Sequence, residues 1–227
     1  MFTTLRSLIA RKIFHIAFVL LLAVPFFTNI SIYIYIAILT FFSGFIYSIQ
    51  VRNPSMWKEI RQNFFKTIED VFTRLEALLP VERLELRAQY QKVLKQLEEL
   101  IDTVERDYER RHGYLGVLMG AVGFTVALII FGPAHLLASI VSMAVYDAVS
   151  AIAGATIGGR KILGKATVSG TAAGSVLNIA TLTLVGYTIE GAILITLFVV
   201  IADVLTPEDN LTIPPAAAAG SYLSLLL

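Results

Sequence analysis

The chain has no cysteine among its 227 residues, which excludes disulfides, a thiolate nucleophile, a cysteine-ligated zinc and an iron–sulfur cluster. Charge is scarce as well: Asp, Glu, Lys and Arg make up 15% of the residues, against about 25% in soluble globular domains. Lys plus Arg number 18 and Asp plus Glu 17, a formal net charge of +1. No basic excess draws the chain to a polyanion, so no nucleic-acid partner is expected. Apolar side chains fill the space that charge leaves, at 56% of residues and a mean hydropathy of +0.75. That balance belongs to an integral membrane protein with the lipid bilayer as its partner.

Crossing about 30 Å of hydrocarbon takes about 20 mostly apolar residues. Such runs lie at 13–29, 30–50, 113–132, 134–157, 171–189 and 191–205, the last of them short. A further run, 214–227, is marginal by length and either crosses tilted or lies partly buried against the bundle. The sequence therefore predicts an all-α, polytopic transmembrane helical bundle of six or seven spans. The first run follows Arg6, Arg11 and Lys12 as a secretory signal would, but no small-residue cleavage site ends it and Pro25 precedes Phe26 and Phe27. It reads as a retained helix.

Between the N-terminal pair of helices at 1–50 and the C-terminal bundle at 113–227 lies a charged segment, 51–112, with 12 basic and 12 acidic residues. It reads as a water-facing insertion. Ile60, Phe64, Phe65, Ile68, Phe72 and Leu75 share one helical face. After Pro80, Tyr90, Val93, Leu97, Leu100, Val104 and Tyr108 alternate in steps of three and four as a heptad seam does. Two helices broken at Pro80 and packed as a hairpin satisfy both stripes. Such a hairpin serves as a spacer or homo-oligomer contact, or as a membrane-surface element through Trp57, Phe64 and Phe65.

Basic residues set the orientation. Arg6, Arg11 and Lys12 precede the first span, and Arg160, Lys161 and Lys165 occupy 158–170, whereas the turns near Asn29, Pro133 and Glu190 hold no Lys or Arg. With the N-terminus inside, threading six spans also puts 51–112, 158–170 and 206–213 inside, so the basic segments agree on a cytoplasmic face.

Three polar clusters gather at that face. Lys12 and His15, close to one turn apart, can point the same way, or Lys12 can simply snorkel to headgroups. Asp147 lies in an otherwise uncharged helix, where a carboxylate is costly unless paired or hydrated, and a functional role is its default reading. After it come Gly154, Gly158, Gly159, Arg160, Lys161, Gly164, Lys165, Thr167, Ser169, Gly170 and Thr171. Glycines admit a backbone close to phosphate, the cations supply countercharge, and free N–H groups near Thr171 would open the next helix as an anion site; a tight cytoplasmic turn explains the same residues. Asp203, Glu208, Asp209 and Asn210 offer hard oxygens for Mg²⁺, while Pro207 to Asn210 is also good turn chemistry. Together the clusters hold the parts that phosphoryl or nucleotidyl transfer needs, with the acceptor coming from the bilayer.

Arg11-Lys12-Ile13-Phe14-His15 is similar to an R-K-x-x-H motif. Asp147-Ala148-Val149-Ser150-Ala151 with Gly154 and Gly158 is similar to G-D-x-x-A-x-x-x-G-x-x-x-G, and Thr167-Val168-Ser169-Gly170-Thr171 to K-[ST]-x-E-G-[ST]. Asp203 followed by Asp209-Asn210-Leu211-Thr212-Ile213-Pro214 is similar to an acidic residue followed by D-N-L-T-[IV]-P. In these segments, and in their order, the chain resembles the CTP-dependent polyprenol kinase family, which includes dolichol and phytol kinases and is related to phosphatidate cytidylyltransferases. The resemblance covers the first two spans and 113–227. Tyr146 stands where the family has Gly, Ala166 at its Lys with Lys165 one place early, and Ser169 at its Glu. The resemblance implies a membrane enzyme moving the γ-phosphoryl group of CTP to an isoprenoid alcohol. Asp147, Asp203, Glu208 and Asp209 would hold Mg²⁺. Gly158, Arg160, Lys161, Lys165, Thr167, Gly170, Thr171 and Asn210 would bind nucleotide. Lys12 and His15 would orient phosphate or accept the alcohol proton, and these two with Asp147 and Asp209 form the catalytic set. The alternatives are cytidylyl transfer to give a CDP-lipid and a non-catalytic scaffold or transporter.

Overall fold

A computed structural model of the chain describes residues 2–78, 92–96 and 115–226. The described residues are mostly helical. In chain order they form α1 (Phe2–Ala23), a 3₁₀ turn at Val24–Phe26, α2 (Ile32–Arg52), α3 (Pro54–Leu78) and a short helical piece at 92–96. Next come α4 (Leu115–Phe131), a 3₁₀ turn at Pro133–His135, α5 (Leu136–Val141), a π-helical segment at Ser142–Tyr146 and α6 (Asp147–Ile157). Two short strands, β1 (Lys161–Ile162) and β2 (Ala166–Thr167), lead to α7 (Val168–Leu184), α8 (Ile189–Leu205) and α9 (Asp209–Ser224). The chain divides into two compact units, Met1–Gly44 with Leu115–Leu227 and, separately, Phe45–Tyr114.

Among the described residues three helical stretches are long and apolar enough to cross a membrane: Leu8–Phe26, Ile32–Arg52 and Pro133–Ile157. Leu115–Phe131 and Val168–Leu184 are shorter apolar helices. In the second unit α3 carries exposed Met56, Ile60 and Phe64 on its apolar stripe. The break at Pro80 and most of the second stripe lie outside the described residues.

In the first unit α9 packs along α4 and α8, α7 along α6, and α1 against α5, the π-helical segment and α6. Small residues permit these approaches, as they do between helices in lipid, where close packing replaces the hydrophobic effect. A Cβ on Gly220 would stand 2.7 Å from Ile195 Cα, and one on Gly170 would collide with the Ser150 carbonyl. The start of α9 is held in the same way. Pro214 and Pro215 have no N–H, so the carbonyls of Asn210 and Leu211 lose their helical donors. Those two oxygens face Gly123 of α4, where a Cβ would lie 2.9 and 2.6 Å from them. Ser139 Oγ donates to Pro214 O at 2.7 Å, tying the same turn to α5.

The sequence reading gave 158–170 as a loop. It contains instead a small antiparallel hairpin with Lys161 opposite Thr167 and Ile162 opposite Ala166. Lys165 N donates to Ile162 O at 3.1 Å and closes a turn whose two central residues, Leu163 (φ 47°) and Gly164 (φ 79°), are both left-handed as in a primed turn, with Lys165 the extra residue before the paired Ala166.

Candidate functional site

Lys12 and His15 face the same way from α1 because residues three apart share a helix face. Both meet Asp147. Lys12 Nζ donates to Asp147 Oδ2 at 2.6 Å, and His15 Nε2 lies 3.1 Å from the same oxygen. All three are largely buried, the Lys12 and Asp147 side chains being 14% and 7% exposed. His15 Nε2 also lies 3.2 Å from Met143 O. Both neighbours of Nε2 are acceptors, which assigns its hydrogen and leaves Nδ1 as the ring's lone pair. The Met143 carbonyl belongs to the π-helical segment, where wider hydrogen bonding loosens the regular ladder.

A second group adjoins the first through consecutive residues of that segment's end. Tyr146 is fully buried and its phenol donates to Asp203 Oδ2 at 2.9 Å. Lys165 reaches from the hairpin to the C-terminal end of α8, donating to Asp203 O and Thr206 O at 3.0 Å each. Those carbonyls stand where a helix end lacks intrahelical donors and favours a cation. The same Nζ lies 3.5 Å from Asp203 Oδ1 and 3.3 Å from Asp209 Oδ2. Two groups thus lie side by side, Lys12 and His15 of α1 with Asp147 in one and Tyr146, Lys165 of the hairpin, Asp203 of α8 and Asp209 of α9 in the other, adjoining through the consecutive residues Tyr146 and Asp147.

The two lysines are not equivalent. Removing one partner of a buried pair such as Lys12–Asp147 strands a charge and costs about 3–5 kcal/mol. The Lys165 side chain is 34% exposed, and solvent screening holds such a pair to about 1 kcal/mol or less.

Other residues singled out in the sequence stand apart from these two groups. Arg160 and Lys161 are exposed on the hairpin. Gly158 ends α6 with φ 71°, and its carbonyl accepts a hydrogen bond from Ser169 Oγ. Thr167 is the N-cap of α7, accepting from Gly170 N at 3.1 Å, so α7 starts well before Thr171. Two of the first N–H groups of α7 are already used, Gly170 N by that cap and Val168 N by Arg160 O. This reduces the open anion site expected near Thr171, whose own hydroxyl is buried without a hydrogen-bond partner. Gly170 serves the close packing on Ser150. Glu208 accepts from Thr212 Oγ1 through its carbonyl at 3.1 Å, and Asn210 N donates to Asp209 Oδ1 at 2.9 Å.

Among the described residues no group of three or more His, Asp or Glu side chains is arranged around one metal position. Oxygens do converge on the Lys165 ammonium, from two carboxylates and two carbonyls, and hard oxygens of that kind suit Mg²⁺ with water and phosphate completing the shell. The sequence reading treated Tyr146 only as a departure from a motif and did not include the Met143 carbonyl. A polar aromatic next to an intramembrane acid was the available signal for the first, and nothing in composition or spacing reports the second. Comparison of the chain with protein-family models, curated proteins and solved structures finds no match.

Proposed function

We propose that the protein is an integral membrane lipid kinase that transfers the γ-phosphoryl group of CTP to the hydroxyl of a membrane isoprenoid alcohol. In this reading six or seven helices span the bilayer, 51–112 is a cytoplasmic helical hairpin, and the site opens on the cytoplasmic face. One observation carries the proposal: residues from four separated parts of the chain, at 12–15, 146–147, 165 and 203–209, form two adjoining groups of lysines and carboxylates that meet at Tyr146 and Asp147. Intramembrane ionisable groups are expensive, and a concentration of them favours a functional site over a structural one.

The roles follow from the geometry. Asp203 and Asp209, with Asp147 nearby, would hold Mg²⁺, which would offset the charge of the phosphates. Lys165 and Lys12 meet phosphate oxygens as compact ammonium charges, and Arg160 and Lys161 receive the nucleotide at the rim. His15, steadied through Nε2, presents Nδ1 to the alcohol. The alcohol oxygen forms a bond to the γ-phosphorus, the bond from that phosphorus to the bridging oxygen breaks, CDP leaves, and Nδ1 takes the alcohol proton. The isoprenoid tail stays in lipid throughout.

The test uses purified protein in detergent with Mg²⁺ and CTP labelled separately at the γ-phosphate and in the base, offering prenols and phosphatidate together. Transfer of the γ label alone to prenol is the expected result. Transfer of the base label to phosphatidate would make the protein a cytidylyltransferase, and transfer of neither would favour a scaffold or transporter.

A further inference from the structure

We propose that the hairpin at 158–167 is a lid latched by Lys165. Its opening requires the Lys165 ammonium to leave the Asp203 and Asp209 carboxylates, and an Mg²⁺-bound nucleoside triphosphate drives this by taking both halves of the latch. The proposal rests on the phosphoryl-transfer reading and adds a conformational step to it.

Three features carry it. First, the ammonium is a stand-in cation: four oxygens surround it, Asp203 O and Thr206 O at 3.0 Å, Asp209 Oδ2 at 3.3 Å and Asp203 Oδ1 at 3.5 Å. Two carboxyl groups and the carbonyls of a helix C-terminus place hard oxygens around one ammonium, so a divalent cation competes for the same oxygens. Second, Lys165 is the tie that the turn makes to the acids. Among the described residues, the hydrogen bonds and ion pairs linking the turn to α8 and α9 all come from its side chain, while the other hairpin bonds, such as Val168 N to Arg160 O, lie at its base. Third, the limb that joins the hairpin to α6 is a pair of glycines, held at its base by Ser169 Oγ on the Gly158 carbonyl. Gly158 (φ 71°) and Gly159 (φ 120°) are adjacent and left-handed, and a Cβ on Gly158 would meet nothing within 4 Å.

The exchange is balanced in charge and contact. The cation takes the carboxylate oxygens, and the released ammonium takes a phosphate oxygen, a comparable partner for a flexible lysine. Lys12 does not exchange in this way, because its pair with Asp147 is nearly dry while that of Lys165 is one-third exposed.

The absence of cysteine provides a clean test. Leu163, at the tip and 73% exposed, lies outside the proposed catalytic and binding machinery, so Leu163→Cys in the full-length protein carries a nitroxide label read by electron paramagnetic resonance in lipid nanodiscs. The expected result is a restricted label without ligand and a shift to a mobile spectrum on adding Mg²⁺ and CTP. Lys165→Met should give the mobile spectrum with no ligand. Asp209→Asn, which removes one contact, should give an intermediate one and keeps the test open if Lys165→Met does not fold. A label equally restricted in parent and both variants overturns the latch. Mobility gained in the variants but not with Mg²⁺ and CTP overturns the nucleotide-driven step and leaves the latch, and the double-label transfer assay on the same protein decides the kinase reading separately. Mobility gained with Mg²⁺ and CTP but not in the variants does the reverse.

Discussion

Lys12 and Asp147 pair at 2.6 Å in a largely buried setting. From sequence alone, Asp147→Asn relieves the cost of an intramembrane charge and leaves folding intact. The pairing reverses that expectation, since Asn leaves the Lys12 ammonium buried and unpaired. Lys12→Met and Asp147→Asn should each lower stability by about 3–5 kcal/mol. The double variant, with neither charge, should lose far less than the sum, and all three should lose turnover. Thermal unfolding in detergent alongside the double-label assay checks both statements, and additive losses would show that the pair is not coupled. Tyr146→Phe is a milder probe. It removes the donor to Asp203 Oδ2 and should cost about 1–3 kcal/mol for the buried acceptor left short. If the phenol also positions Asp203 for Mg²⁺, the Mg²⁺ concentration needed for half-maximal activity rises in Tyr146→Phe while nucleotide KM measured at saturating Mg²⁺ stays put.

At the scale of elements, α9 is placed by what its prolines remove. The two freed carbonyls of Asn210 and Leu211 fit only against a residue with no side chain, and Gly123 supplies it. Gly123→Ala should therefore push the first turn of α9, with Asp209, away from the site and destabilise the protein by about 1–3 kcal/mol, the usual cost of overpacking. Gly120→Ala, one turn earlier and facing only the Phe18 ring at 3.4 Å, should be tolerated. Comparing the two by thermal unfolding and activity separates a specific backbone contact from a general intolerance of α4 to larger residues. The same contrast explains what the sequence could reveal. Apolar runs marked the helices of the first unit, because lipid-length helices are written in composition. The motifs at 11–15, 147–158 and 203–214 marked most residues that meet at the site. The π-helical segment left no trace, since one wider turn does not alter hydropathy, yet it exposes the Met143 carbonyl to His15. The hairpin was hidden for a different reason: its turn places Leu163 at φ 47°, where Asn or Gly would have announced a primed turn. Without the hairpin, the inward reach of Lys165 could not be told from the outward exposure of Arg160 and Lys161.

The first unit sets a few polar side chains into an apolar core and exposes aliphatic ones outside. Ser139, Ser142, Asp147, Asn178, Thr196, Asp203 and Ser221 are buried, whereas Ile129, Val176, Leu184, Ile193 and Leu197 are exposed. Asn178 Nδ2 links three helical segments at the centre, reaching Thr196 Oγ1 at 2.9 Å and Ser142 Oγ at 3.3 Å. In water so many exposed aliphatic side chains would drive association, while in lipid they meet their own kind and internal hydrogen bonds hold the helices together. The helix on which the proposed topology turns is α7. Its 17 residues make a helix of about 25 Å, at the short limit of about 17–25 residues for a crossing. It also separates the hairpin from Glu190, on opposite sides of the membrane in the proposed threading. Single cysteines at Leu163 and Glu190, both exposed, read this directly in a chain with no other thiol. In intact cells a membrane-impermeant maleimide should modify Glu190→Cys, and should modify Leu163→Cys only after permeabilisation. Reaction of both from outside, or of neither, would mean that α7 does not cross. The hairpin and the C-terminal end of α8 would then fall on opposite faces whichever way the first helix inserts, which the 3.0 Å bonds from Lys165 Nζ to Asp203 O and Thr206 O do not allow, so the six-span threading itself would have to be redrawn.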